Sequence, residues 1–154
     1  MANAAYSVAP QTSFGLTVGS VKKLGWYASL GSNFKFMNAD YECDYSGAID
    51  GASIEYSYSG DKTTSRFGAT AGLVVRISDP VYAYVGGGYG FRNVFWELEN
   101  GNWAKCTDDS YRGVSMDAGL MLHFGGFGLS LGVQTIDMNY METKIGLGYT
   151  LKRR

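Results

Sequence analysis

Residues 66–77 read Arg66-Phe67-Gly68-Ala69-Thr70-Ala71-Gly72-Leu73-Val74-Val75-Arg76-Ile77. Phe67, Ala69, Ala71, Leu73, Val75 and Ile77 share one face of an extended chain. Arg66, Gly68, Thr70, Gly72, Val74 and Arg76 share the other. Strict alternation over a dozen residues is the period of a β-strand, not of a helix. Residues 113–124 repeat the design, with Val114, Met116, Ala118, Leu120, Leu122 and Phe124 opposing Gly113, Ser115, Asp117, Gly119, Met121 and His123.

The same template runs outward in both directions. Phe14, Leu16 and Val18 oppose Gly15, Thr17 and Gly19. Trp26, Ala28, Leu30, Phe34 and Phe36 oppose Gly25, Tyr27, Ser29, Gly31, Asn33 and Lys35. Val81, Ala83, Val85, Tyr89 and Phe91 oppose Tyr82, Tyr84, Gly86, Gly88, Gly90 and Arg92. Phe127, Leu129, Leu131 and Val133 alternate with Gly128, Ser130, Gly132 and Gln134. Ile145, Leu147, Tyr149 and Leu151 alternate with Lys144, Gly146, Gly148 and Thr150. A weaker strand over Asn3 to Ala9 brings the count to eight. Short connections at Lys22-Lys23, Ser78-Asp79-Pro80 and Gly125-Gly126 alternate with long ones over 37–65 and 97–111, and with intermediate ones at Pro10-Gln11 and 137–140. The expected fold is all-β: an eight-stranded, antiparallel, up-and-down transmembrane β-barrel forming a single domain over residues 1–154.

Composition decides which face turns inward. The 154 residues include 22 Gly and 2 Pro, about double the average Gly usage of roughly 7%. The second face carries Gly, Ser and Thr with a few charges, whereas a solvated exterior is dense in Lys and Glu. Small residues leave room for a few long polar side chains to cross a narrow lumen, and Gly eases closure. The competing reading is a soluble barrel that binds an apolar small molecule, with the apolar face inward. No apolar run approaches the 18 residues of a membrane helix. Mean hydropathy of −0.11 is no objection, because averages are blind to alternating strands. Net charge is −1, so a nucleic-acid partner is not expected. No secretion signal precedes Ala2; if exported, the chain is expected to be the C-terminal part of a longer precursor.

Parity sends Lys35, Arg66, Arg76, Arg92, Asp117, Glu142 and Lys144 inward, where they are expected to form a charge-paired plug. Asp117 is expected to meet at least one inward Arg or Lys, with Arg76 and Arg92 the candidates on preceding strands. Trp26, Phe34, Phe36, Phe91, Phe95, Trp96, Phe124, Phe127 and Tyr149 are expected to form interfacial girdles. Acidic residues gather in the long connections: Asp40, Glu42, Asp44, Asp50, Glu55 and Asp61 in the first, Glu97, Glu99, Asp108 and Asp109 in the second. Lys22, Lys23, Lys152, Arg153 and Arg154 lie at the opposite end. Solvated loops explain this pattern, and a cation or a basic protein is the candidate partner. Cys43 and Cys106 fall in the two long connections, on the same side. If exported they meet oxidising conditions, and a disulfide between them is expected. One His and two distant Cys supply no zinc site. No nucleophile constellation surrounds His123, so neither catalytic residues nor a cofactor are expected.

With these features in place, the chain resembles the eight-stranded outer-membrane barrels of the outer-membrane protein A and X type. The last strand, Lys144-Ile145-Gly146-Leu147-Gly148-Tyr149-Thr150-Leu151, is similar to the signal read by the barrel-assembly machinery, with Lys144, Gly146, Tyr149 and Leu151 in its positions. Lys152-Arg153-Arg154 replaces the family's terminal aromatic. Residues 82–96, 101–105 and 112–119 also resemble C-terminal barrel domains of Bacteroidota surface proteins. The resemblance implies an outer-membrane location, in contact with outer-membrane lipid, and does not imply one activity. The even strand count places both termini at the short-turn end, which is expected to be periplasmic. The expected role is that of a non-enzymatic barrel that anchors or stabilises the envelope and displays acidic loops.

Overall fold

The computed structural model describes residues 2–9, 13–49 and 58–150. Eight strands build an up-and-down antiparallel ring: β1 (Ala2–Ala9), β2 (Ser13–Ser20), β3 (Leu24–Ser32), β5 (Tyr58–Ser78), β6 (Val81–Leu98), β7 (Trp103–Phe124), β8 (Phe127–Ile136) and β9 (Tyr140–Tyr149). Each pairs with its neighbours in sequence, and β1 pairs with β9 from Ala2↔Tyr149 to Ala9↔Thr143, which closes the ring. Closure removes every edge within the barrel, so its backbone groups are satisfied without solvent. A short strand, β4 (Tyr41–Cys43), lies outside the ring and pairs parallel to β7.

Among the residues whose burial is described, from β2 to β9, the apolar face points outward. Leu16, Trp26, Leu30, Leu73, Val85, Val114, Met116, Leu120, Leu131 and Leu147 are exposed, whereas Arg66, Thr70, Ser115, Asp117, Gln134 and Glu142 are buried. A barrel that held an apolar ligand in water would have these faces exchanged, so the soluble reading is overturned. On β7 the outward stretch from Arg112 to Phe124 spans roughly 40 Å of strand, or about 28 Å along the axis at 45° tilt. That height matches the roughly 30 Å hydrocarbon core of a bilayer. Trp26, Phe124, Phe127 and Tyr149 are exposed at the turn end of this band, and Phe14, Phe34, Phe36 and Tyr89 at the other. Phe95 and Trp96 are not part of a girdle: Phe95 is buried and Trp96 packs in the loop-side structure described below.

Strands β5, β6 and β7 run to 21, 18 and 22 residues, about twice the 9–11 that cross a membrane. The expected long connection over 97–111 is therefore mostly strand. β6 continues to Leu98, β7 begins at Trp103, and only 99–102 turn the chain. Parity failed there because pairing jumps from Arg92↔Tyr111 to Val94↔Cys106. The bulge inserts extra residues in β7 and resets which side chains face inward.

Candidate functional site

Two constellations stand out, a charged lumen and a loop-side cap. Inside the lumen, Arg66 of β5 pairs with Glu142 of β9. Gln134 of β8 accepts from Arg66 Nη2 at 3.4 Å and from Lys144 Nζ at 2.7 Å through its Oε1. Its Nε2 donates to Ser115 Oγ at 2.6 Å. One layer nearer the turns, Asp117 accepts from the Tyr27 hydroxyl and from Thr70 Oγ1 at 3.0 Å, with Lys144 Nζ 3.5 Å away. Asp117 thus meets a lysine two strands away, not Arg76 or Arg92. Tyr27, Val74, Tyr82 and Met121 close the turn end. His123 there bonds Thr150 Oγ1 at 2.6 Å.

The strands supply small residues where these long side chains lie. A Cβ on Gly68 would stand 3.0 Å from Gln134 Nε2, and one on Gly31 3.2 Å from Arg66 Nη1. The space left beside Tyr27, Tyr84, Asp117 and Lys144 is a cavity of about 20 Å³, room for roughly one water molecule. In this filled interior Arg66 and Glu142, and Lys144 and Asp117, each have a partner of opposite sign, as buried charges require.

Three of the expected lumen residues are placed differently. Lys35 is exposed, because β3 ends at Ser32 and Phe34 turns the chain away with a φ of 56°. Arg76 lies at the mouth of the turn end, its side chain 44% exposed and 3.4 Å from Asp79. Arg92 sits at the loop-side mouth. Its Nη1 donates to the Asp109 carbonyl at 2.8 Å, and its guanidinium lies 4.8 Å from the Tyr140 ring centroid. Of the assembly-signal residues, Lys144 faces the lumen, Gly146 is paired with Ala5 and Ser130, and Tyr149 faces outward. Leu151 lies outside the described residues, as do Asp50, Glu55 and the three terminal basic residues.

Beyond the band, β4 and the extensions of β6 and β7 enclose a second small core of Cys43, Val94, Leu98, Ala104 and Cys106. Tyr41, Ile49, Tyr58 and Trp96 pack against it. Sequence reading missed this cap, whose signal is the cluster of apolar and aromatic residues between acidic ones. Several acids serve its architecture. Asp44 accepts from Ser46 Oγ at 2.6 Å and Ala48 N at 3.1 Å, and the Ser46 bond holds its carboxyl below the usual range. Asp108 Oδ2 accepts from Tyr45 N at 2.8 Å, Asp40 Oδ2 accepts from Trp103 N at 3.3 Å, and Glu42 lies 3.5 Å from Lys105. Among the described residues no three potential metal ligands converge. Cys43 and Cys106 are register partners on β4 and β7, and both thiols are free. The expected disulfide is thus not formed in this structure, although its two ends are brought together.

No protein-family model matches the chain, and no curated protein sequence matches it. Solved structures do. The crystal structure of Ail, the attachment invasion locus protein of Yersinia pestis, is 14% identical with a TM-score of 0.56, over 96% of this chain and 91% of Ail. Ail in complex with the heparin analogue sucrose octasulfate gives 15% and 0.60 over the same shares. The backbone structure of Ail, an outer membrane protein, in a phospholipid bilayer nanodisc gives 17% and 0.58, covering 96% of each chain. At such identities the likeness establishes the fold: an eight-stranded antiparallel barrel of the kind found in Ail.

Proposed function

We propose that the chain is a non-enzymatic outer-membrane β-barrel that anchors or stabilises a bacterial envelope and displays an acidic cap on the outer side. The observation that carries this reading is the distribution of polarity. A bilayer-high apolar band surrounds a lumen in which Arg66, Glu142, Asp117 and Lys144 are buried against one another. Water cannot favour that arrangement and lipid can. The first and last described residues lie with the short turns, Ala2 paired with Tyr149 and Thr150 N donating to the Gly126 carbonyl at 2.7 Å, which suits periplasmic termini. Lys144, Gly146, Tyr149 and Leu151 are the contacts we assign to the barrel-assembly machinery.

The described loop-side residues include Asp40, Glu42, Asp44, Asp61, Glu97, Glu99, Asp108, Asp109 and Asp137 against Lys35, Lys62, Arg92, Lys105 and Arg112. That sign suits a basic protein or a cation, and opposes a sulfated ligand such as the one bound to Ail. Fractionation tests the location. The protein should stay with urea-washed outer membranes and migrate faster unboiled than boiled. A monodisperse protein in detergent-free buffer would overturn the reading.

A further inference from the structure

We propose that Cys43 and Cys106 form a disulfide latch that is made while the exported chain is still unfolded and is afterwards sealed from redox reagents by the cap core. The proposal rests on the outer-membrane reading, which supplies the oxidising compartment. Register carries it first. Cys43 and Cys106 are direct partners on adjacent parallel strands. Strand neighbours stand about 4.8 Å apart, inside the roughly 4.4–6.8 Å window that a disulfide needs between its Cα atoms. Both side chains enter the same core with Val94, Leu98 and Ala104, so they lie on one face of the sheet. The structure shows the reduced form of this pair, with Cys106 Sγ donating to the Asp44 carbonyl at 3.8 Å.

Burial fixes the timing. Cys43 is 1% exposed and Cys106 0%. No oxidant disulfide can approach either sulfur in line once the cap has formed. Burial also pushes the Cys43 thiol above its usual pKa, which lowers the thiolate fraction needed for exchange. Oxidation therefore precedes folding. A thiolate of the unfolded chain attacks the disulfide of an exported dithiol oxidase, giving a mixed disulfide and releasing one oxidase thiolate. The second cysteine's thiolate then attacks the sulfur of the first. The Cys43–Cys106 bond forms, the oxidase leaves as a dithiol having gained two electrons, and the protons of the two cysteines pass to solvent and the oxidase. The bond has a task, because β4 has three residues and a strand so short holds weakly by itself. A covalent tie would keep it, and the acidic segment around it, on β7.

The test begins with protein recovered from urea-washed outer membranes, denatured without reductant in the presence of a maleimide and weighed intact. The latch predicts no adduct and a mass two hydrogens below the reduced chain. Two adducts on protein from that fraction overturn the latch and leave the barrel reading standing. Recovery in the soluble fraction overturns the reading and the latch with it. For the sealing step, oxidised glutathione is added to the reduced chain either in urea before folding or after folding into micelles. Bond formation should be at least tenfold slower after folding, and equal rates in the two arms would sink the sealing step.

Discussion

Arg66 and Glu142 meet across the full width of the lumen, on strands β5 and β9 that stand four places apart either way round the eight-strand ring. Their side chains are 1% and 0% exposed. Removing one partner strands a charge where little water reaches it. Glu142→Ala should therefore cost roughly 3–5 kcal/mol in unfolding free energy. The double variant Arg66→Met, Glu142→Leu should lose much less, because no charge is left behind. Urea unfolding in lipid vesicles measures both. A double variant as unstable as the single one would mean that the pair contributes through its attraction, not through mutual neutralisation.

Strand parity was enough to assign the outward residues from Leu16 to Leu147, because a membrane barrel sorts its side chains by face alone. It was not enough to pair the charges. Which residues share a level depends on how far each strand is staggered against the next, and stagger leaves no local mark in the sequence. Asp117 consequently meets Lys144, two strands on, while Arg76 turns outward to Asp79. Lys35 was misplaced for a different reason. Alternation at Phe34 and Phe36 persists by composition after the chain has left the sheet at Ser32. The cap was hidden by the bulge between Arg92 and Val94, which interrupts the period just where the polar residues begin to look like a loop.

Topology can be read by proteolysis. Residues 44–49 follow β4 on the loop side, whereas Lys22 and Lys23 are exposed in the β2–β3 turn at the opposite end. Residues 37–61 contain no Lys or Arg, so a broad-specificity protease is required. Added to whole cells, it should cut within residues 37–65 and spare the turn at Lys22-Lys23. Cleavage only after the envelope is breached would reverse the orientation.

The cap should respond to alkaline pH through Tyr58, whose hydroxyl donates to the Gly47 carbonyl at 2.5 Å and whose ring meets Trp96 edge-on at 5.2 Å. Burial, the largest cause, raises its pKa from 10.0 to about 12 in the reduced cap. The folded cap thus keeps a proton that the unfolded segment releases. This contribution is complete below about pH 10 and is lost as pH climbs towards 12. Tryptophan fluorescence of the folded protein should show a step in that window while the barrel remains heat-modifiable. In Tyr58→Phe most of the step should vanish, and an undiminished step would assign it to another group.

The last prediction sets the two faces of β7 against each other. Asp117 points inward and is 3% exposed, held by Tyr27, Thr70 and Lys144. Leu120, three residues on, points outward and is 52% exposed. In water the first would be the sensitive position by a wide margin, and the second would accept any polar residue. In a bilayer both are sensitive, for opposite reasons. Asp117→Ala strands the Lys144 ammonium and two hydroxyls, at a cost on the order of 3–5 kcal/mol. Asp117→Ala combined with Lys144→Met should recover much of that loss, since the remaining hydroxyls can bond elsewhere in the lumen. Leu120→Arg places a guanidinium in hydrocarbon and should destabilise by roughly 2–4 kcal/mol near the midplane, falling as the vesicle bilayer is made thinner. If Leu120→Arg is tolerated in vesicles while Asp117→Ala is silent, the outward face does not meet lipid and the inside-out assignment fails.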